Sequence, residues 1–121
     1  MVAGMADSAQ RRLLTELRET ALARARAADA ALAELVHDRE GNNDDDEHDP
    51  EGVTLSSEWS RLSGLASAAH DELAQIDDAL VRLDAGEYGV CANCGNPIPT
   101  ARLEVRPFAE LCVPCAEKAG R

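Results

Sequence analysis

Cys91-Ala92-Asn93-Cys94 and Cys112-Val113-Pro114-Cys115 form two C-x2-C pairs separated by 17 residues. Thiols at this spacing suit a tetrahedral four-thiolate zinc site: two sulfurs three residues apart on a tight turn take two corners, and a second turn supplies the others. Gly95 directly follows the first pair, at a position where such a turn often needs positive φ, which lets backbone N–H groups point at the sulfurs. Four thiolates leave no open position for water, so the expected zinc is structural, not catalytic. Two other chemistries use the same ligands. One is rubredoxin-like iron, for which an acidic helical chain offers no electron-transfer purpose. The other is a thiol-based redox sensor that releases zinc on oxidation. His37, His48 and His70 are scattered upstream. None completes a ligand set with the cysteines, and they read as solvated side chains, with His48 tuning the charge of the acids around it only weakly.

Residues 91–121 are too few to bury a self-sufficient core, and a bound metal worth about 10–16 kcal/mol of apparent binding energy supplies the missing stability. Arg102, Arg106, Lys118 and Arg121 in this stretch can offset the negative charge of a four-thiolate site.

The segments that must carry this module are helical. From about Asp7 to Glu40 there is no Pro or Gly, and Ala, Leu, Arg and Glu dominate. Leu14, Leu17, Ala21, Ala25, Ala28, Leu32 and Leu35 recur at three- and four-residue steps, a coiled-coil stripe with one irregular step. Gly41-Asn42-Asn43 then favours a turn. A second run starts after Gly52, with Thr54 or Ser56 as its cap, or a turn earlier at Asp49-Pro50. Its stripe of Leu55, Trp59, Leu62, Ala66, Ala69, Leu73, Ile76, Leu80 and Leu83 alternates strictly by four and three, and Gly86 is the natural stop. Two runs of roughly 33 residues, each about 50 Å at ~1.5 Å per residue, joined by a short connection, predict an antiparallel two-helix coiled-coil hairpin. The expected division is a flexible N-terminus at 1–6, a hairpin at 7–86 with its tip at 41–52, and a four-cysteine zinc finger at 87–121. The composition agrees: 22 of 121 residues are Ala and only three are aromatic, Trp59, Tyr88 and Phe108.

Charge is unevenly placed. The formal net charge is -11, from 23 acids and 12 bases. Between Val36 and Thr54 lie eight of the acids (Asp38, Glu40, Asp44, Asp45, Asp46, Glu47, Asp49 and Glu51) and a single base, Arg39. About two-thirds of the net charge therefore sits on one turn, where it repels itself and keeps the loop solvated. Such a chain is repelled by phosphate backbones and anionic lipids, which argues against non-specific DNA or membrane-surface binding and for a protein partner. No window approaches 18 consecutive apolar residues, and Met1 to Gln10 has no basic region leading into an apolar one. The expected location is the cytoplasm, where clustered cysteines bind metal more often than they form disulfides.

The segment Leu83-Asp84-Ala85-Gly86-Glu87-Tyr88-Gly89-Val90-Cys91-Ala92-Asn93-Cys94-Gly95, continuing through Ile98, Arg102-Leu103-Glu104, Pro107 and Leu111-Cys112 to Cys115, resembles the DksA/TraR family of zinc-finger transcription regulators. The upstream helices agree with that family in length and placement, so the resemblance extends over about residues 7–119. It implies a protein that binds bacterial RNA polymerase without reading promoter sequence. A coiled coil would enter the secondary channel and bring acidic tip residues near the catalytic centre, in some members together with the alarmone ppGpp. Asp45, Asp46 and Asp49 are the tip residues it points to. Members often carry Asp-x-x-Asp-x-Ala there. This chain has Asp46-Glu47-His48-Asp49-Pro50-Glu51, with Glu for Ala, or alternatively Asp49-Pro50-Glu51-Gly52, which keeps Asp-Pro and lacks the second Asp. The expected molecule is a cytoplasmic regulator and not an enzyme. Its rival is a zinc-stabilised coiled-coil adaptor whose acidic turn meets another basic partner.

Overall fold

The structure, a computed structural model, describes residues 2–41 and 51–120. Asp45, Asp46 and Asp49 lie outside the described residues. Four helices follow in order: α1 (Val2–Gly41), α2 (Glu51–Asp84), α3 (Thr100–Val105) and α4 (Val113–Lys118). Among the described residues there is no strand, only an isolated antiparallel bridge between Val90 and Pro97. The helix α1 starts five residues before Asp7, because Ala and Met around Gly4 favour helix and no Pro interrupts them. Of the two starts open for α2, the earlier one is adopted, with Glu51 as its first residue. It ends where the sequence places the stop. Gly86 has φ +75°, its N–H bonds to Leu83 O at 3.2 Å, and the Glu87 N–H bonds to Arg82 O at 2.8 Å. That pair of bonds is a Schellman motif, which satisfies carbonyls that the helix end would otherwise orphan.

The chain divides into two units, Thr20–Glu72 and Met1–Glu19 with Leu73–Arg121. In the first, the two long helices bury Ala21, Ala25 and Ala28 of α1 and Leu62, Ala66 and Ala69 of α2. Arg24 pairs with Glu72 at 3.2 Å and Asp29 with His70 at 2.9 Å, so numbering rises along one helix as it falls along the other. The helices are antiparallel here, as the two stripes predict. Small alanines allow the backbones to approach closely, and the flanking polar contacts are exposed and individually worth less than about 1 kcal/mol.

Within the second unit the same antiparallel relation is set by Arg11–Asp84 and by Arg18–Asp77 at 2.6 Å. Leu14, Ile76 and Ala79 are fully buried and Leu83 nearly so. Two positions differ from the expected stripe. Trp59, in the first unit, remains 42% exposed, as a ring this large is rarely covered completely, and Ala79, absent from the stripe, is completely covered.

Candidate metal centre

Residues 87–120 fold around the cysteines with little help from regular structure. The first pair sits on a turn closed by Gly95, whose φ of +78° and N–H bond to Cys91 O at 3.0 Å fulfil the sequence expectation. The Cys94 N–H points at Cys91 Sγ across 3.5 Å. Cys112 caps α4 in an extended conformation, with Pro114 in the first turn where its missing N–H costs nothing, and Cys115 lies one turn in. A Cys91 N–H bond to Asn96 O and an Ile98 N–H bond to Gly89 O, at 2.8 and 2.7 Å, pin the segment that carries the first pair. Gly89 has φ +82°, and any side chain there would start 3.5 Å from Leu103 Cδ1.

The structure brings the four sequence-identified thiols together. Their sulfurs all lie within 4.8 Å of one another, and Cys94 Sγ and Cys112 Sγ are 3.7 Å apart. Tetrahedral thiolates at ~2.3 Å from zinc stand about 3.8 Å from each other, so the spacing fits the ion. Cys91, Cys112 and Cys115 are buried and cluster with Ile98, with Leu103 and Leu111 packed alongside, while Cys94 is exposed. These four residues are positioned to bind one metal ion. The apolar cluster keeps water from three of the sulfurs and is the small core that accompanies the metal.

Electrostatics around the sulfurs is graded. Hydrogen bonds from the backbone N–H groups of Cys94, Cys112 and Asn93 hold the Cys91 thiol down at about 6, against an ordinary value of 9.0, and they outweigh its burial. At Cys112 the Cys115 N–H favours the thiolate, yet burial and the neighbouring sulfurs of Cys115, Cys94 and Cys91 push the thiol up to about 11. Crowded sulfurs resist acquiring charge together, and a dication is what relieves that resistance. The Asn93 amide donates to Cys115 Sγ at 3.4 Å. Sequence reasoning gave Asn93 no role, although its place inside the first pair was the available signal.

Several side chains outside the thiols hold the finger. The Tyr88 hydroxyl donates to Pro107 O at 2.6 Å and lies 3.2 Å from the Gln10 amide oxygen of α1. Arg102 Nε donates to Leu111 O at 2.8 Å, and Arg82 Nη2 to Ala109 O at 3.3 Å. None of these three was legible as support, because each acts on a backbone carbonyl whose neighbour in sequence is remote.

Comparison with known proteins shows what this geometry is similar to. Residues 86–119 match the prokaryotic dksA/traR C4-type zinc finger. The chain carries a DksA/TraR-type zinc finger. Over 49 residues it is 45% identical to the RNA polymerase-binding transcription factor DksA of Caulobacter vibrioides, covering 40% of this chain and 34% of that protein. With DksA of Escherichia coli the identity is 37% over 43 residues, or 36% of this chain and 28% of that protein. An uncharacterised protein of Aquifex aeolicus is 38% identical over 60 residues, half of this chain and 41% of that one. In sequence, then, the chain spans only about 28–41% of the length of these relatives. In fold the likeness reaches further. The transcription factor DksA2 from Pseudomonas aeruginosa superposes with a TM-score of 0.73 at 27% identity, over 94% of this chain and 82% of that one. Zinc is accordingly the metal this C4 finger takes. No helix among the described residues is long and apolar enough to cross a membrane.

Proposed function

We propose that this chain is a cytoplasmic transcription regulator that binds bacterial RNA polymerase, with zinc in a structural role and no catalytic activity of its own. The observation that carries the proposal is the fold it shares with DksA2 over 94% of its length, joined to a finger of the DksA/TraR type. In this reading residues 87–121 are the finger, with zinc on Cys91, Cys94, Cys112 and Cys115. Residues 7–86 form the arm, and the turn at 41–52 enters the secondary channel. Asp45, Asp46 and Asp49 act near the catalytic centre, where the concentrated negative charge of the turn suits a cavity lined by bases or holding metal ions. The overall charge of -11 supports a regulator that does not read DNA directly.

Titration of core polymerase with the zinc-loaded protein at physiological salt tests the proposal, with a known secondary-channel ligand as competitor and ppGpp present or absent. Saturable binding that the competitor displaces is expected. Binding without competition overturns channel use. The pair Asp46→Asn with Asp49→Asn is expected to keep binding within about threefold while abolishing the effect on transcription, since it removes charge from the turn and leaves the rest of the contact surface unaltered. An unchanged transcriptional effect in that variant, together with unfolding of Cys94→Ser, transfers the reading to the zinc-stabilised adaptor.

A further inference from the structure

The segment that delivers the second cysteine pair, between α3 and α4, belongs to no helix or sheet. Its backbone carbonyls still need donors. Four of them find donors outside the segment: Pro107 O accepts from the Tyr88 hydroxyl, Ala109 O from Arg82 Nη2, Glu110 O from the Ala92 N–H and Leu111 O from Arg102 Nε. Cys112 follows immediately. Ala92 lies inside the first cysteine pair, so the Glu110–Ala92 bond at 2.8 Å sets the distance between the two halves of the metal site.

Arg82 differs from the other donors. It belongs to α2, ahead of residues 86–119 that constitute the finger, yet its side chain is only 14% exposed. Besides Ala109 O, its guanidinium stands 3.8 Å from the Glu110 carboxylate. The planar fork therefore grips two consecutive residues of the segment, one through its carbonyl and one through its side chain. We propose that Arg82 is a positioning residue for the zinc site: by holding Ala109 and Glu110 against the end of α2, it fixes where Cys112 stands relative to Cys91 and Cys94. The zinc affinity of the finger then depends on a residue of the long helix.

Zinc retention in the full chain, measured by competition with a chromophoric chelator, tests it, together with the visible absorption of the cobalt-substituted site. Arg82→Gln is expected to weaken zinc retention about 10–100-fold, the usual cost of removing an outer support of a metal ligand, and to alter the cobalt spectrum. Arg82→Lys, which keeps the charge and reaches one acceptor, falls between Arg82→Gln and the unaltered protein. The same unit offers a control in Arg11→Gln, which removes an exposed pair with Asp84 at the end of the same helices and is expected to retain zinc within about twofold. Zinc retention and cobalt spectra unchanged in both Arg82 variants overturn the proposal, even where their melting temperatures fall. So does an equal loss in Arg11→Gln, because general loosening of the unit then accounts for it. Should Arg82→Gln fail to fold, Arg82→Lys against Arg11→Gln decides alone.

Discussion

At the scale of residues, the metal-free site carries opposed titrations. Cys91, held at about 6 in the folded chain, is depressed from 9.0; its contribution to stability is complete above about pH 9 and is lost as pH falls toward 6. Cys112, raised to about 11, contributes fully below about pH 9 and loses that contribution as pH rises through 11. The finger loses its order without metal, so the charge of these thiols is read on the zinc-loaded chain, whose zinc retention by chelator competition should rise steadily from pH 5 to 9. Zinc itself requires all four thiolates, so acidification releases it. The four ligands were fully legible in the sequence, because a C-x2-C pair places its sulfurs by local geometry alone. Their unequal acidity was not, since it arises from N–H groups and sulfurs that only folding assembles around Cys91 and Cys112.

Among the elements, the close seam of the first unit governs the energetics. Ala25 is 1% exposed, so Ala25→Leu forces the helices apart and should cost about 1–3 kcal/mol, whereas Arg18→Gln removes an exposed pair and should cost under about 1 kcal/mol. Urea melts of both variants distinguish packing from charge as the source of stability. Gly86→Ala places a Cβ in open space but keeps φ at +75°, so its expected cost of about 1–2 kcal/mol is conformational alone; the same melts measure it. Helix periodicity revealed nearly all of this architecture. Leu14, Ala21, Ala25 and Ala28 on α1, and Leu62, Ala66, Ala69, Ile76 and Leu83 on α2, are buried as their spacing requires. The exceptions are instructive. A hydropathy pattern counts Trp59 as core without asking whether its ring fits, and it passes over Ala79 because Leu80 beside it satisfies the repeat. The extra turn of α1 before Asp7 escaped because no cap residue announces it.

For the molecule as a whole, metal and helix are separable in amount. The long helices have 40 and 34 residues against six each in α3 and α4. Chelation should therefore remove one zinc by native mass spectrometry and abolish the order of residues 87–120 by amide exchange, while far-ultraviolet circular dichroism keeps most of its helical amplitude. Complete loss of helix would mean that the finger holds the hairpin together. The chain also bears one Trp and one Tyr, and they fall in different units: Trp59, half open to solvent, in Thr20–Glu72, and Tyr88, hydrogen-bonded to Pro107, in the unit that holds the cysteines. Each unit is thereby born with its own fluorophore. Emission from the two can be followed in a single unlabelled sample, and whether the curves coincide or part reads out how far cooperativity travels along α1 and α2, the two helices that run through both units.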